Sequence, residues 1–225
     1  CAKNNKKILC EKPIGLNLDQ AKLALKAINK YNISFYEAIA YRSHPQTQTL
    51  LELIDSGEIG EVYQIEAYCG WKAKKIKKDS RLFNKDLGGG VILDVGCYPI
   101  SFFNQFCKKD ETLKLIKSKG SFSYTGVDDE SEIEVLIGKD IKGICKISFK
   151  ENLNSSCKIY GKKGTITIPS PWLPPEKSYI EIVNKNSYYK KFTISKNIYT
   201  TQIETIANSF IKNSSDNKNI VNINE

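Results

Sequence analysis

The sequence contains no methionine in 225 residues and only one histidine, His44. Because a complete translation product begins with Met, we expect the chain to be either trimmed or an internal piece of a longer protein. No apolar run approaches the ~18 residues that span a bilayer, and the first residues lack the apolar core of a signal peptide. These absences predict a protein with no membrane partner.

Arginine is nearly absent from a basic chain. The formal net charge is +9, yet Arg42 and Arg81 are the only arginines among 34 basic residues. Recognition of bases and phosphates favours the arginine fork, so we predict no nucleic-acid partner. One segment is dense in lysine: Lys72, Lys74, Lys75, Lys77 and Lys78. It is interpreted either as a solvated loop or as a rim that attracts anions.

The seven cysteines form no CxxC pair and are odd in number. Cys97, Cys145 and Cys157 lie in apolar or strand-like stretches and are predicted to be small buried side chains. We therefore expect free thiols and a reducing, cytoplasmic location. With a single histidine and no cluster of ligands, no metal site is predicted.

The chain opens as a parallel α/β unit. Residues 7–10 and 33–36 are short apolar runs that predict strands, and the helix between them begins after Asn17, with Gln20 three residues on. One such unit cannot cover both faces of a parallel sheet, so we expect further strands from outside this segment.

The spacing of the apolar residues changes later in the chain. Apolar residues 91–106 predict a buried helix that Pro99 kinks or interrupts. From about residue 111 the apolar residues alternate, which predicts a run of antiparallel strands covered on one face. A helix over 199–212 follows, and the Asn- and Ser-rich residues after it are expected to be poorly ordered.

Two short stretches carry reactive side chains. Glu11-Lys12-Pro13 follows the first strand, where α/β sheets bind ligands; the alternative is an ordinary surface turn. The second runs from Gly88 to Tyr98. It lacks the Gly-Lys-Ser/Thr of a phosphate loop, so its glycines are expected to permit a close backbone approach. Asp94 and Tyr98 lie four residues apart, as either a buried hydrogen-bonded pair or an acid/base phenol with its orienting carboxylate.

Five motifs occur in the order seen in the glucose–fructose oxidoreductase / inositol dehydrogenase (Gfo/Idh/MocA) family. They are Glu11-Lys12-Pro13, Glu-Ala-Ile-Ala-Tyr-Arg-Ser-His-Pro at 37–45, Gly-Glu-Ile-Gly-Glu-Val at 57–62, the stretch 88–98, and Tyr-Gly-Lys-Lys-Gly-Thr at 160–165. The sequence resembles most the branch with dihydrodiol and xylose dehydrogenases, which has Tyr where inositol dehydrogenase-like members have His. Here that position is Tyr98.

The resemblance implies a fold of class α/β plus α+β. Residues 1–43 would be the C-terminal portion of a Rossmann-type dinucleotide-binding domain. Residues 44–225 would be a substrate-binding and oligomerisation domain, with a large open, mostly antiparallel sheet flanked by helices. It also implies an NAD or NADP cofactor, a sugar, polyol or diol substrate, and a homodimer or homotetramer formed through the open sheet. The family's Gly-rich phosphate loop is not in this sequence.

The resemblance also assigns roles to single residues. Lys12 would lie beside the nicotinamide and the substrate hydroxyl, with Glu11 and Pro13 shaping that wall. Tyr98 would donate or accept the proton at the reacting carbon, and Asp94 would hold Tyr98 and the substrate. A nearby ammonium favours phenolate, so we expect Lys12 to lower the pKa of Tyr98.

Two further positions match the family segment near the cofactor cleft. Arg42 is predicted to bind cofactor and His44 to bind substrate, although His44 before Pro45 also fits a plain helix start. A protein on this fold that senses a dinucleotide without catalysis is the alternative function. The joint presence of Lys12, Asp94 and Tyr98 argues against it, since a sensor needs no proton relay.

Overall fold

The computed structural model describes residues 1–108, 110–212 and 221–222. The first sheet contains β1 (Ile8–Cys10) and β2 (Phe35–Glu37), which are parallel and joined by α1 (Leu18–Lys30). This confirms the predicted strand–helix–strand unit. The strand β11 (Val221–Asn222) pairs antiparallel with β2 and was not predicted. Most of the segment expected to be poorly ordered, after residue 212, lies outside the described residues.

Helix α1 begins where its sequence predicts. The Asn17 side chain accepts a hydrogen bond from the Gln20 backbone N–H at 3.0 Å, and the Gln20 side chain accepts one from the Leu16 N–H at 3.0 Å. Side chains therefore satisfy two donors at the helix start. Ile28 of α1 is buried in a small cluster with Ile33 and Phe35.

The second sheet has eight strands in the order β10-β9-β8-β7-β3-β6-β5-β4. Their bounds are β3 (Val62–Gly70), β4 (Leu113–Phe122), β5 (Asp128–Ile137), β6 (Ile141–Ser148), β7 (Leu153–Gly161), β8 (Gly164–Pro169), β9 (Lys177–Val183) and β10 (Ser187–Thr193). Every neighbouring pair is antiparallel except β3 with β6. The open, mostly antiparallel sheet is confirmed.

One face of this sheet carries the main core. Along β6, Cys145 and Ile147 are fully buried, while Lys142 and Lys146 point to the other side. Helices α2 (Pro45–Asp55) and α3 (Cys97–Asn104) pack on this core. Helix α4 (Ile198–Lys212) instead packs Ile206 and Phe210 against Tyr36 of β2. The core includes Phe102 and Phe103 of α3, each burial contributing about 1.5–3 kcal/mol.

The stretch before α3 departs from α-helical geometry. Ile92–Gly96 forms a π-helical turn, and α3 then starts two residues before Pro99. Proline supplies no backbone N–H and its ring crowds the preceding turn, so the helix widens there. The predicted interruption is confirmed, and π-turns of this kind are frequent at functional sites.

Among the described residues, no helix is long and apolar enough to cross a membrane. All seven cysteines are free, as expected, and Cys145 and Cys157 are buried. Cys97 is only partly buried.

Candidate functional site

Three segments far apart in sequence converge at one place. Lys12 follows β1, Asp94 lies in the π-turn, and Tyr98 lies in the first turn of α3. Lys12 Nζ lies 3.6 Å from Asp94 Oδ1 and 4.8 Å from the centroid of the Tyr98 ring. The structure thus brings together all three residues predicted to act at the reacting carbon.

Asp94 is held by two cations. Its carboxylate is only 9% exposed, and its Oδ1 lies 2.8 Å from Arg81 Nη2 as well as 3.6 Å from Lys12 Nζ. Lys12 also donates to the backbone carbonyl of Asp94. A carboxylate removed from water needs partners of opposite charge. The salt bridge with Asp94 in turn fixes the ammonium of Lys12, whose side chain is 13% exposed.

The predicted lowering of the Tyr98 pKa is wrong. Burial raises the pKa of Tyr98, and the negative charge of Asp94 raises it further. Lys12 lies against the face of the phenol ring. In the described part of the chain no hydrogen bond joins Lys12 to the Tyr98 hydroxyl, so the ammonium does not offset the loss of solvation.

Nor does Asp94 hold Tyr98 directly. The four-residue spacing predicted a shared helical face, but a π-turn carries Asp94 and an α-helix carries Tyr98. Among contacts of the described residues, Asp94 bonds to Arg81 and Lys12 and not to Tyr98. Lys12 therefore connects the two groups, through a salt bridge on one side and a cation–π contact on the other.

Buried aromatic residues position Tyr98. The hydroxyl of Tyr41 donates to the Tyr98 carbonyl at 3.3 Å, and the two rings meet edge to face with centroids 6.4 Å apart. Tyr41 also packs edge to face on Trp172, at 5.5 Å. Both Tyr41 and Trp172 are almost fully buried, so a rigid cluster supports the start of α3.

The glycines before Asp94 permit a close approach, as predicted. Gly90 has φ 118°, and a Cβ there would collide with Asp128 Oδ1. The other oxygen of Asp128 accepts a hydrogen bond from the Ile92 N–H at 2.7 Å. Asp128, at the start of β5, thus anchors the π-turn. Sequence reasoning missed it, because no motif surrounds it.

Glu11 and Pro13 flank Lys12 in the turn that follows β1. The Lys12–Pro13 peptide bond is cis, Pro13 is partly buried and Glu11 is exposed. The carboxylate of Glu37, at the end of β2, accepts from the Ile14 N–H at 2.9 Å and so ties this turn to the neighbouring parallel strand. Glu37 was not predicted as a site residue.

Arg42 and His44 lie outside this cluster. Arg42 is buried and donates to the Ser101 carbonyl at 3.3 Å. The His44 Nδ1 accepts from the Gln46 N–H at 3.0 Å and caps α2, and burial lowers the pKa of His44 to about 4. His44 also borders an open cavity of about 290 Å³ beside Glu176. Their predicted roles toward cofactor and substrate stay predictions.

In residues 1–108, 110–212 and 221–222, no group of three or more His, Cys, Asp or Glu side chains could hold a metal ion. The groups that meet at the site are the Lys12 ammonium, the Arg81 guanidinium, the Asp94 carboxylate and the Tyr98 phenol. Such a set binds and orients polar groups and can supply a proton.

A lysine just beyond the carboxyl end of a parallel strand, beside a carboxylate on a π-turn and a phenol on α3, is an arrangement typical of ligand sites in α/β proteins. Comparison with known proteins shows the family. The family model for the GFO/IDH/MocA C-terminal domain matches residues 47–167. The chain belongs to the GFO/IDH/MocA family, as its motifs indicated.

Curated relatives include a trans-1,2-dihydrobenzene-1,2-diol dehydrogenase from Xenopus tropicalis, 31% identical over 175 residues. That alignment covers 77% of this chain and 52% of the relative. The enzyme of the same name from Homo sapiens is 26% identical over 179 residues, covering 78% and 52%. The chain spans about half the length of the curated relatives it matches.

Solved structures share the fold. The aldose-aldose oxidoreductase from Caulobacter crescentus complexed with glycerol superposes with a TM-score of 0.86 at 17% identity, over 99% of this chain and 66% of that one. The 3-ketoreductase KijD10 from Actinomadura kijaniata, in complex with NADP and TDP-benzene, gives 0.82 at 18% identity, over 96% and 67%.

Proposed function

We propose that the protein is an NAD(P)-dependent oxidoreductase that transfers a hydride between a nicotinamide and a carbon bearing a hydroxyl group in a sugar, polyol or diol. The convergence of Lys12, Asp94 and Tyr98 carries this proposal. The curated relatives named as diol dehydrogenases support it. So do the solved neighbours, one of them an NADP complex.

The nicotinamide end of a cofactor suits the residues present. Lys12 and Pro13 follow the carboxyl end of β1 beside its parallel neighbour β2, where open α/β sheets bind ligands. Lys12, Glu11 and Pro13 would border the nicotinamide, and Arg42 is the further cofactor contact that the motifs suggest. When bound, the nicotinamide supplies or takes up the hydride.

This chain's residues would then handle the proton and the orientation. A phenol whose pKa burial raises keeps its proton near neutral pH, so Tyr98 suits a donor to the oxygen of a carbonyl undergoing reduction. Lys12, fixed by Asp94, would orient that oxygen by hydrogen bonding. We accordingly assign Tyr98 the proton transfer and Lys12 and Asp94 the substrate orientation. His44 keeps its proposed place among the substrate contacts.

The division at residue 43 and the homo-oligomer are part of the same proposal. The first sheet would belong to the dinucleotide-binding domain. The second would supply the substrate contacts and, through its solvent-facing side, the oligomer interface. Tyr63 of β3 is exposed on the large sheet and its ring lies 6.3 Å from that of Tyr160. Aromatic residues of this kind are enriched at interfaces.

A nicotinamide assay with the whole protein tests the proposal. NADH and NADPH are each offered with a panel of aldoses, ketoses and diols, and absorbance of the reduced nicotinamide is followed in both directions. We expect turnover with at least one pair and a loss of more than 100-fold in Lys12→Met. Lys26→Met, on the exposed face of α1, is the matched control and should leave turnover unchanged. Tight dinucleotide binding without turnover across the panel would instead favour the sensor.

A further inference from the structure

Arg81 occupies a position where the composition of the chain would favour lysine. Only two of the 34 basic residues are arginine, and each places its guanidinium in a specific contact. Arg42 is buried against Ser101, and Arg81 pairs with Asp94. A planar fork that presents several donors at fixed angles distinguishes arginine from lysine, so a role that uses this fork fits both positions.

The guanidinium of Arg81 is fixed at one end and open at the other. Its Nη2 lies 2.8 Å from Asp94 Oδ1, a carboxylate that is itself 9% exposed, while the Arg81 side chain is 62% exposed. One hydrogen bond to a buried carboxylate orients the group, and donors remain for a ligand. The same Asp94 oxygen lies 3.6 Å from Lys12. Arg81 therefore lies directly beside the proposed reaction centre.

The backbone around Arg81 is held in place. Phe83, two residues on, is buried and packs edge to face on Phe149, with centroids 5.7 Å apart. The Leu82 carbonyl accepts from the Gly90 N–H at 2.9 Å. These contacts tie the short helix Arg81–Phe83 to the glycine segment that leads to Asp94, so the guanidinium needs little ordering when a ligand binds.

The segment that leads to Arg81 is strongly positive. Between residues 71 and 83 the sequence has five lysines and one arginine against the single acid Asp79. All five lysines are exposed. Such a field attracts anions toward the centre and repels cations, which favours the anion-attracting rim over a merely solvated loop.

We propose that Arg81 is a substrate-specificity residue that binds an anionic group, carboxylate or phosphate, carried by the sugar or diol. The inference rests on the proposed function, since it places the substrate between Lys12, Tyr98 and Arg81. Carboxylate and phosphate oxygens both match the arginine fork, so the shared chemistry is the oxyanion. Lysines 72–78 supply long-range attraction, and Arg81 makes the direct contact.

Binding measurements on the whole protein, with saturating reduced cofactor so that the hydroxyl-bearing carbon of the probe is not oxidised, test this without requiring turnover. D-Glucose, D-glucuronate and D-glucose 6-phosphate serve as probes, titrated by calorimetry at constant ionic strength. We expect at least one anion to bind ten-fold or more tightly than glucose. Preference for glucuronate alone identifies a carboxylate, and preference for the 6-phosphate alone identifies a phosphate. Equal binding of all three, or no anion binding at 10 mM, overturns the proposal.

Variants separate specificity from a merely structural role of Arg81. Arg81→Gln should remove the anion preference by weakening anion binding at least ten-fold more than glucose binding, and Arg81→Lys should restore part of the preference. Lys78→Gln, which removes one charge from the same segment, should change the preference less than two-fold. Equal weakening of charged and neutral probes in Arg81→Gln would show that Arg81 only holds Asp94. The binding comparison can still be interpreted if the nicotinamide assay shows no hydride transfer, because calorimetry measures binding and not turnover.

Discussion

His44 gives a prediction that the structure makes quantitative. The side chain is 2% exposed, and its Nδ1 caps α2 by accepting from the Gln46 N–H. Because burial penalises the charged imidazolium, the pKa of His44 falls from 6.5 to about 4. The folded protein thus keeps this ring neutral at pH values where the unfolded chain protonates it.

The direction of the pH dependence of stability follows from which state, folded or unfolded, binds the proton. Above pH 6.5 the ring is neutral in both states, and its contribution to stability is complete. Between pH 6.5 and about 4 only the unfolded chain takes up the proton, so the free energy of unfolding falls as the pH falls. Each pH unit costs about 1.4 kcal/mol, and the full loss reaches about 3 kcal/mol at pH 4.

Urea unfolding at several pH values between 4 and 8, followed by tryptophan fluorescence, measures this loss. The matched variant is His44→Asn, because asparagine also caps helices but does not titrate. The variant is expected to be less stable at pH 8 by about 1–2 kcal/mol. The difference between the two proteins should change by about 3 kcal/mol from pH 7 to pH 4, so that the variant becomes the more stable protein by about 1–2 kcal/mol. A difference that stays constant with pH would refute the neutral buried ring.

Two further predictions concern the glycine segment and the thiols. Gly90→Ala should destabilise the fold by about 3 kcal/mol, since φ 118° is strained for alanine and the methyl group would meet Asp128. The control is Gly126→Ala, where φ is 83° and no atom lies within 4 Å of the added methyl group. This variant should lose only about 1 kcal/mol of stability. Equal melting temperatures for the two variants would contradict this reading of the segment. In thiol labelling at pH 8, the exposed Cys1 should react within minutes. Cys145 should react only on unfolding, because burial shields it and raises its pKa to about 12. Rapid labelling of Cys145 in the native protein would show that the sheet core opens.

Much of the fold could be predicted because the capping and proline residues indicate the same elements as the spacing of the apolar residues. Asn17 with Gln20 predicts the start of α1, and Pro99 predicts the interruption that the π-turn provides. The alternation along residues 128–148 predicts strands with one buried face. The parallel pairing of β3 with β6 could not be predicted, because strand order depends on contacts across the whole sheet and not on the period of any one strand.

The proximity of the three candidate residues could be predicted better than the contacts between them. Lys12, Asp94 and Tyr98 followed from motifs, but the partner Arg81 lies in a lysine-rich segment with no signal of its own. The π-turn changes which side chains share a face, so the direct Asp94–Tyr98 contact expected from spacing does not form. The raised pKa of Tyr98 follows from burial, which depends on tertiary packing that the sequence does not reveal.

The central claim is that Tyr98 transfers the proton at a centre built with Lys12 and Asp94. The most direct test is the kcat of Tyr98→Phe in the whole protein, with the nicotinamide and substrate pair that the panel identifies. We predict a fall of more than 100-fold in kcat with the dissociation constant of the cofactor within two-fold. Tyr31→Phe, which also removes a phenol hydroxyl but lies at the end of α1, should be unchanged. Turnover of Tyr98→Phe within a few-fold of the unaltered protein would contradict the account.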